Sequence, residues 1–195
     1  MNANTERQNA ADAEHGRRLL AIARAAIARR LDVDANAPAT DADWLRRPGA
    51  VFVTLKQDGR LRGCIGSLEA RRPLAEDVAA NAEAAAFRDP RFAPLSRDEL
   101  ARTEIEVSLL SAPEALEAAD EAAAVARLRP GIDGVIFDYG RHHGTFLPQV
   151  WEELGDPVDF LHHLKYKAGL PPDFWHPDVK LSRYTVTRWR EGDFK

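Results

Sequence analysis

Residues 51–66, VFVTLKQDGRLRGCIG, form two runs of alternating apolar and polar side chains separated by Asp58–Gly59. Such alternation is typical of half-buried β-strands, and Asp-Gly between two strands indicates a β-hairpin. A loop of three residues, 57–59, pairs Leu55 with Leu61 and collects the apolar side chains on one face. A loop of two residues mixes the faces. The pattern therefore predicts the three-residue loop, with glycine at its left-handed position.

Cys64 is the only cysteine of the chain, and the predicted register decides its surroundings. It falls on the polar face with Lys56, Arg60 and Arg62, and Gly66 leaves open space beside the sulfur. Two interpretations stay open. Neighbouring arginines lower the pKa of a thiol and make it reactive, whereas many free cysteines are inert small residues packed under a helix.

The segments around the hairpin show helical and strand periodicity. Gly63, on the apolar face, would let a packed helix approach closely. The helix that follows the hairpin carries Asn81 near the edge of its buried stripe, where the amide needs hydrogen-bond partners. The periodicity predicts helices over residues 16–31, 72–87 and 156–169, a short helix after Pro148, and strands over 103–111, 179–189 and twice within 128–148.

The order of these elements predicts the fold class. Antiparallel strands separated by helices at irregular intervals indicate an α+β protein with a mainly antiparallel sheet flanked by helices, because the regular alternation of a parallel sheet is absent. Residues 1–14 are polar without apolar periodicity, which predicts a flexible tail. The remaining residues, 15–195, are predicted to form a single domain.

Composition narrows the class of protein. The chain has 195 residues, a net charge of −4 and 45% hydrophobic residues, as expected of a globular protein. The acidic balance argues against a nucleic-acid binder. No apolar run approaches the roughly 20 residues of a membrane helix, and the N-terminal segment has no apolar signal core. A single cysteine forms no internal disulfide, so we expect a reduced, cytoplasmic protein.

Other residues with chemical potential have simpler explanations. Histidines in adjacent pairs do not chelate one metal naturally, and no zinc-type spacing occurs, so no metal site is predicted. His142 or His143 could approach Cys64 as a general base, although solvent exposure is the favoured expectation for both. Glu104 and Glu106 could act in acid–base chemistry, although a solvated sheet face explains their alternation more simply.

Five blocks of sequence, in this order, resemble the AMMECR-type domain family, component A of the AmmeMemoRadiSam system. The blocks are LRGCIGSL (61–68), PLAEDVAANAEAAAFRDPRFAPLS (73–96), EIEVSLLS (104–111), LRPGIDGVIF (128–137) and GTFLPQVWEE (144–153). The resemblance extends from about residue 16 to residue 185. It implies a cytoplasmic α+β protein that forms one compact unit with a larger and a smaller lobe and a cleft near the RGCIG segment.

The resemblance also implies partners and site residues. Family members are encoded near, or fused to, a Memo-like protein and a radical-SAM enzyme, and the family implies no settled reaction or cofactor. Cys64 is the candidate nucleophile and Arg62 the candidate anion binder. The candidate binding residues are Arg60, Gly63, Gly66, Phe146, Pro148 and Gln149.

Two functions follow from these expectations. The first is a cysteine-dependent enzyme or enzyme component, in which Cys64 reacts and Arg62 holds an anionic group of an unknown small molecule. The second is a non-catalytic module that docks onto the Memo-like or radical-SAM partner. A nucleic-acid regulator ranks far behind both because the chain is acidic.

Overall fold

The computed structural model describes residues 3–36 and 38–194. The α-helices are α1 (Ala3–Arg30), α2 (Asp43–Arg46), α3 (Leu74–Phe87), α4 (Arg97–Leu100), α5 (Glu121–Val125) and α6 (Pro157–Lys167). The strands are β1 (Pro48–Gly49), β2 (Val51–Gln57), β3 (Arg60–Gly66), β4 (Arg72–Pro73), β5 (Glu104–Leu110), β6 (Glu114–Ala115), β7 (Gly134–Tyr139), β8 (His142–Phe146), β9 (Lys180–Tyr184) and β10 (Val186–Arg190). Short 3-10 helices span Pro148–Glu152 and Glu191–Phe194. Helices and antiparallel sheets confirm the predicted α+β class.

The chain divides into a larger and a smaller compact unit. The first unit comprises the residues up to Leu110 together with those from Thr187 onward, and the second unit comprises Ser111–Val186. The single domain expected over residues 15–195 stays a prediction. No helix among the described residues is long and apolar enough to cross a membrane.

The first unit is built on a four-stranded sheet in the order β10-β5-β2-β3. Alternate residues of its central strands, such as Val53, Leu55, Ile105 and Val107, are fully buried. They belong to one apolar core with side chains of α1 and α3. Burying one sheet face under helices leaves the opposite face to polar residues, and that face carries Cys64.

The hairpin loop differs from its prediction. Gln57 pairs with Arg60, so the loop has two residues. Both Asp58 and Gly59 have positive φ, 50° and 76°, and this turn geometry matches the right-handed twist of paired strands. The predicted three-residue loop over 57–59 is therefore wrong.

A β-bulge supplies the register shift that the longer loop was expected to provide. Lys56 pairs with Leu61, but the next pair is Leu55 with Gly63, which leaves Arg62 as the extra residue. An extra residue on one strand exchanges the faces of all residues beyond it. Beyond the bulge, Gly63 and Ile65 therefore pair with Leu55 and Val53 and lie on the apolar face, as predicted. Leu61, predicted on that face, instead pairs with Lys56 on the polar face and is 43% exposed.

Helix α1 begins well before its predicted start. Its backbone is helical from Ala3, so residues 3–14 are part of the helix and the predicted tail is wrong for this segment. The physical reason is composition: alanine, glutamate, glutamine and arginine favour helix, and the first glycine is Gly16. At Gly16 the missing side chain admits Trp189, whose ring lies 2.3 Å from the position of an added Cβ.

The second unit contains a four-stranded sheet in the order β6-β9-β7-β8. Helix α6 begins as predicted at the residue after Asp156, whose carboxylate accepts two backbone N–H groups. Strands β7 and β8 are joined by residues 140–141. The Trp151 ring stacks on Phe160 with centroids 3.7 Å apart, and its N–H donates to the carbonyl of the buried Asp133. These contacts anchor the LRPGID and FLPQVW segments in the core of this unit.

Candidate functional site

Cys64 lies on a polar sheet face of the first unit. We call this surface the polar face, and its residues are Phe52, Thr54, Lys56, Leu61, Cys64, Gly66, Glu104, Glu106, Ser108, Arg188 and Arg190. Cys64 pairs with Thr54 and is partly exposed. The Thr54 hydroxyl donates a hydrogen bond to the sulfur over 3.2 Å. The predicted placement of Cys64 away from the apolar core is what the structure shows, although the register that places it there is different.

The backbone of Cys64 is held on the outer edge of β3, the edge strand of its sheet. Its N–H donates to Oδ2 of Asp89 over 2.9 Å, and its carbonyl accepts from the guanidinium of Arg91 over 3.3 Å. We call these two residues the Asp89–Arg91 clamp. It takes the place that a further β-strand would occupy, and it fixes the peptide groups on both sides of the thiol-bearing carbon.

The clamp is itself tightly paired. Arg91 donates to both carboxylate oxygens of Asp89, over 2.9 Å from Nε and 2.7 Å from Nη2. The Arg91 hydrogen bond is the main cause that holds the pKa of Asp89 well below its usual range, against the opposing effect of burial, and the N–H of Cys64 adds to it. The backbone N–H of Arg91 also donates to Oδ1 of Asp89 over 3.1 Å, which closes the turn between the two residues. Their second role, on Cys64, has no signal in the sequence.

Arg62 has a partner of its own. Its Nε and Nη2 donate to the two oxygens of Glu99 over 2.9 and 3.1 Å, and its side chain is 13% exposed. This pairing is the main cause that lowers the pKa of Glu99 to about 2. Gln57, on the apolar side of the hairpin, donates to Thr103 beside the same carboxylate. The β-bulge thus directs Arg62 to Glu99, and the expectation that it shares the face of Cys64 is wrong.

The glycines of the RGCIG segment serve packing. A Cβ on Gly63 would lie 2.2 Å from the carbonyl oxygen of Ala85 in α3, which confirms the predicted close approach of a helix. A Cβ on Gly66 would lie 2.3 Å from the ring of Phe52. The space beside Gly66 is therefore filled by an aromatic ring, and the predicted open space is absent. Arg60 pairs with Gln57 and is exposed on the side of the hairpin opposite to Cys64.

Glu106 is buried on the polar face and is surrounded by cations. Thr54 pairs with Cys64 on one side and with Glu106 on the other, so these three residues form one row across the sheet. Lys56 donates to Oε2 of Glu106 over 3.2 Å. Arg190 lies 3.2 Å from Oε2 and Arg188 lies 3.7 Å from Oε1. The expected solvated position of Glu106 is wrong because these cations come from strands distant in sequence.

A second polar cluster lies at the start of β2. The buried carboxylate of Asp77 accepts from the N–H of Val51, from the hydroxyl of Ser67 and from Arg72. Asn81, one helical turn later, donates to the carbonyl of Val51, to Ser67 and to Asp77, which confirms its predicted need for partners. A cavity of about 420 Å³ adjoins Asp77, Ser67 and Arg72. The spacing of Asp77 and Asn81 within an alanine-rich helix was the available signal for this cluster.

The other candidates predicted from sequence lie in the second unit. Phe146 ends β8 and packs edge-on against an aromatic ring of α6, with 5.3 Å between centroids. Pro148 begins a 3-10 helix, and Oε1 of Gln149 is buried with no hydrogen-bond partner among the described residues. His142 Nδ1 lies 2.9 Å from the carbonyl oxygen of Ala168, the residue after α6, and His143 bonds Asp138 on the neighbouring strand. A binding role for these residues stays a prediction.

No group of three or more histidine, cysteine, aspartate or glutamate side chains in the described ranges is arranged to hold a metal ion. What the polar face offers instead is a thiol, a hydroxyl that donates to it, and a carboxylate held among three cations. Such a surface suits nucleophilic chemistry on an anionic ligand.

The family model for AMMECR1 matches residues 20–189. This chain belongs to the AMMECR1 family. A protein of Methanothermobacter thermautotrophicus is 41% identical over 182 residues, which cover 91% of this chain and 95% of that protein. A protein of Sulfolobus acidocaldarius is 41% identical over 184 residues, which cover 90% and 81%. The resemblance inferred from the five sequence blocks is thereby confirmed.

A solved structure carries the same AMMECR1 fold. The crystal structure of an uncharacterised protein from Pyrococcus horikoshii is 36% identical in sequence and superposes with a TM-score of 0.77. The match covers 91% of this chain and 92% of that one. The names of these relatives state no activity, so the chemistry of the AMMECR1 domain has to be inferred from its own residues.

Proposed function

We propose that this AMMECR1 protein is a cysteine-dependent enzyme or enzyme component, with Cys64 as nucleophile or covalent carrier. The observation that carries the proposal is the way Cys64 is held. Both peptide groups around its Cα are fixed by charged side chains of the Asp89–Arg91 clamp, while its sulfur is partly exposed on the polar face. A cysteine that merely fills the core would lie on the opposite face, beside Val53 and Leu55.

The sulfur has a hydrogen-bond donor beside it and a cation on its own sheet face. Thiolate, and not thiol, is the nucleophile. The Thr54 hydroxyl donates to the sulfur and can do so more strongly when the sulfur is negatively charged. Lys56 lies on the same face, two residues along β2 from Thr54. The clamp limits backbone movement at Cys64, and a fixed nucleophile loses less conformational entropy when it meets a bound substrate.

The resemblance to the AmmeMemoRadiSam system supplies the proposed setting. In that setting the chain acts together with a Memo-like protein and a radical-SAM enzyme on a small molecule, in the cytoplasm. The RGCIG segment lines the site.

The thiol reactivity of the folded protein tests the proposal. Because Cys64 is the only cysteine, the rate of alkylation by iodoacetamide reports on this residue alone. We expect alkylation at neutral pH and a slower reaction in Thr54→Val, because the sulfur loses its hydrogen-bond donor. Thr40→Val, at an exposed threonine, should leave the rate unchanged. A thiol that reacts only after unfolding would overturn cysteine chemistry.

The second candidate function is a docking module for the same partners. It is favoured by the tip of the β2–β3 hairpin, where Arg60 is exposed and Leu61 presents an apolar side chain that is 43% exposed. Co-purification with a Memo-like or radical-SAM partner, lost in Arg60→Glu, is the expected result. A Cys64→Ser variant that still supports the pathway of these partners in cells would favour docking over chemistry. Arg62→Glu is a poor test because it also breaks the pair with Glu99.

A further inference from the structure

Three cations of the polar face surround one buried carboxylate and still reach solvent. The Glu106 side chain is only 5% exposed, whereas those of Lys56, Arg188 and Arg190 are 29%, 40% and 46% exposed. Arg188 and Arg190 alternate with Trp189, which is buried in the core, so both arginines point to the polar face. Glu106 therefore anchors three positive groups at one place on the sheet.

Most hydrogen-bond donors of these cations remain available. A guanidinium has five N–H donors and an ammonium has three. Lys56 donates one hydrogen bond to Glu106. The two arginines approach the carboxylate as ion pairs, and within the described part of the chain neither guanidinium donates a hydrogen bond. An oxyanion placed over Glu106 could take up several of these donors at once.

Other carboxylates near this cluster are bound to backbone amides. Glu104 is paired in register with Lys56, and its Oε1 accepts from the N–H of Gly192 over 3.2 Å. Asp193 accepts from the N–H of Arg190 over 2.9 Å. Among the described residues, Glu106 is the only carboxylate within ion-pair distance of the three cations.

We propose that Lys56, Arg188 and Arg190 form an oxyanion subsite that holds a phosphate or carboxylate group of a small-molecule substrate. Pairing to Glu106 restrains the side chains in advance, which reduces the entropy lost on binding. The inference rests on the proposed function and names the substrate class of that same site. It replaces Arg62 as the anion binder by three residues that are on the correct face.

The row formed by Cys64, Thr54 and Glu106 also sets the length of a ligand that contacts both the thiol and the subsite. Thr54 separates Cys64 from Glu106, so the subsite lies two interstrand spacings from the thiol, about 10 Å. A substrate that contacts both the subsite and the sulfur must have its reacting carbon about 10 Å from its anionic group. A single short acid such as acetate could fill the subsite without reaching the sulfur.

Calorimetric titration tests the subsite without any knowledge of the reaction. Inorganic phosphate and acetate are titrated separately, at constant ionic strength, into the wild-type protein and the variants Arg188→Gln, Arg190→Gln and Arg29→Gln. We expect saturable binding by the wild type and a Kd raised about tenfold in Arg188→Gln and in Arg190→Gln, as for the loss of a charge-assisted hydrogen bond. Arg29→Gln removes the same charge from an exposed position of α1, on the other side of the sheet, and should leave the Kd unchanged.

The two anions distinguish the ligand class. Tighter binding of phosphate indicates a phosphorylated substrate and tighter binding of acetate a carboxylic acid. Absence of saturable binding of either anion to the wild type overturns the subsite. Equal weakening by Arg29→Gln also overturns it, because the loss of affinity then reflects the net charge of the protein and not a local site. Urea midpoints of Arg188→Gln and Arg190→Gln that match the wild type show that a lost affinity is not a loss of folding.

The subsite and the cysteine chemistry can fail separately. Cys64→Ser should retain anion binding, because the sulfur lies about 10 Å away. Saturable binding with an unreactive Cys64 supports the subsite and overturns the proposed enzyme. A reactive Cys64 with no anion binding overturns the subsite alone.

Discussion

Replacing Asp89 by asparagine tests the clamp that holds the backbone of Cys64. The Asp89 side chain is 1% exposed, and its two oxygens accept from the N–H of Cys64 and from three N–H groups of Arg91. Asparagine keeps the shape but has one acceptor oxygen. Each carboxylate oxygen accepts two of the four bonds, so whichever side the amide NH₂ takes, two bonds are replaced by contacts between donors.

The loss of stability follows from these contacts. Hydrogen bonds to charged groups contribute about 1.5–3 kcal/mol, and removal of one partner of a fully buried ion pair costs about 3–5 kcal/mol. Arg91 is 53% exposed, so its freed guanidinium can be hydrated and the lower range applies. We expect Asp89→Asn to lower the free energy of unfolding by about 2 kcal/mol at neutral pH. Asp34→Asn, at an exposed aspartate, should change it by less than about 0.5 kcal/mol.

The pH dependence adds a second, independent measurement. The pKa of Asp89 is lower in the folded protein than in the unfolded chain, so its stabilisation is complete above the ordinary aspartate pKa of about 3.9 and declines as the pH falls toward the folded value. Urea unfolding of both proteins over a series of pH values should show the difference shrinking in acid. A variant as stable as the wild type at neutral pH, or a difference that acid does not reduce, would refute the reasoning.

Other variants test neighbouring contacts. Gly63→Ala should lower the free energy of unfolding, measured in urea, by more than about 2 kcal/mol, because its Cβ would lie 2.2 Å from the carbonyl oxygen of Ala85. Gly155→Ala is the control: the nearest atom to its added Cβ lies at 3.8 Å, so its stability should be near that of the wild type. Equal losses in the two variants would contradict the close approach of α3 to Gly63. Glu99→Gln should lower the free energy of unfolding by about 1–2 kcal/mol at neutral pH. The difference from the wild type should vanish as the pH falls from the ordinary glutamate pKa of 4.5 through the folded pKa of about 2. A difference that does not change with pH would argue against the ion pair. Burial raises the pKa of Tyr184 to about 12, so tyrosinate absorbance should show one late step that Tyr184→Phe removes, and three coincident steps would disprove it.

The local features of the fold were predictable because they depend on near neighbours in the chain. Alternation predicted strands β2, β3 and β5, and the stripe of α3 predicted both a buried helix and the hydrogen-bonded Asn81. Gly63 was identified as a contact for a helix because a glycine on an apolar strand face leaves room for backbone. The family could be inferred from five ordered blocks, which need only the order of residues.

The hairpin shows where local patterns mislead. The face pattern required one extra residue between the strands, and the sequence allowed it either in the loop or within a strand. The protein uses the two-residue Asp58–Gly59 turn, whose positive φ values suit the strand twist, and takes the extra residue at Arg62 as a bulge. That choice separates Arg62 from Cys64 and joins it to Glu99 in α4.

The sequence by itself determined the α+β class, the family and the position of Cys64 outside the apolar core, since period and motif order are properties of the chain alone. Only the tertiary structure decided which charges surround that thiol. Asp89 reaches the backbone of Cys64 from 25 residues away, and Lys56 reaches Glu106 from 50 residues away. Sheet pairing and loop closure bring these groups together, and the burial of Glu106 demands cations that no local pattern could assign to it.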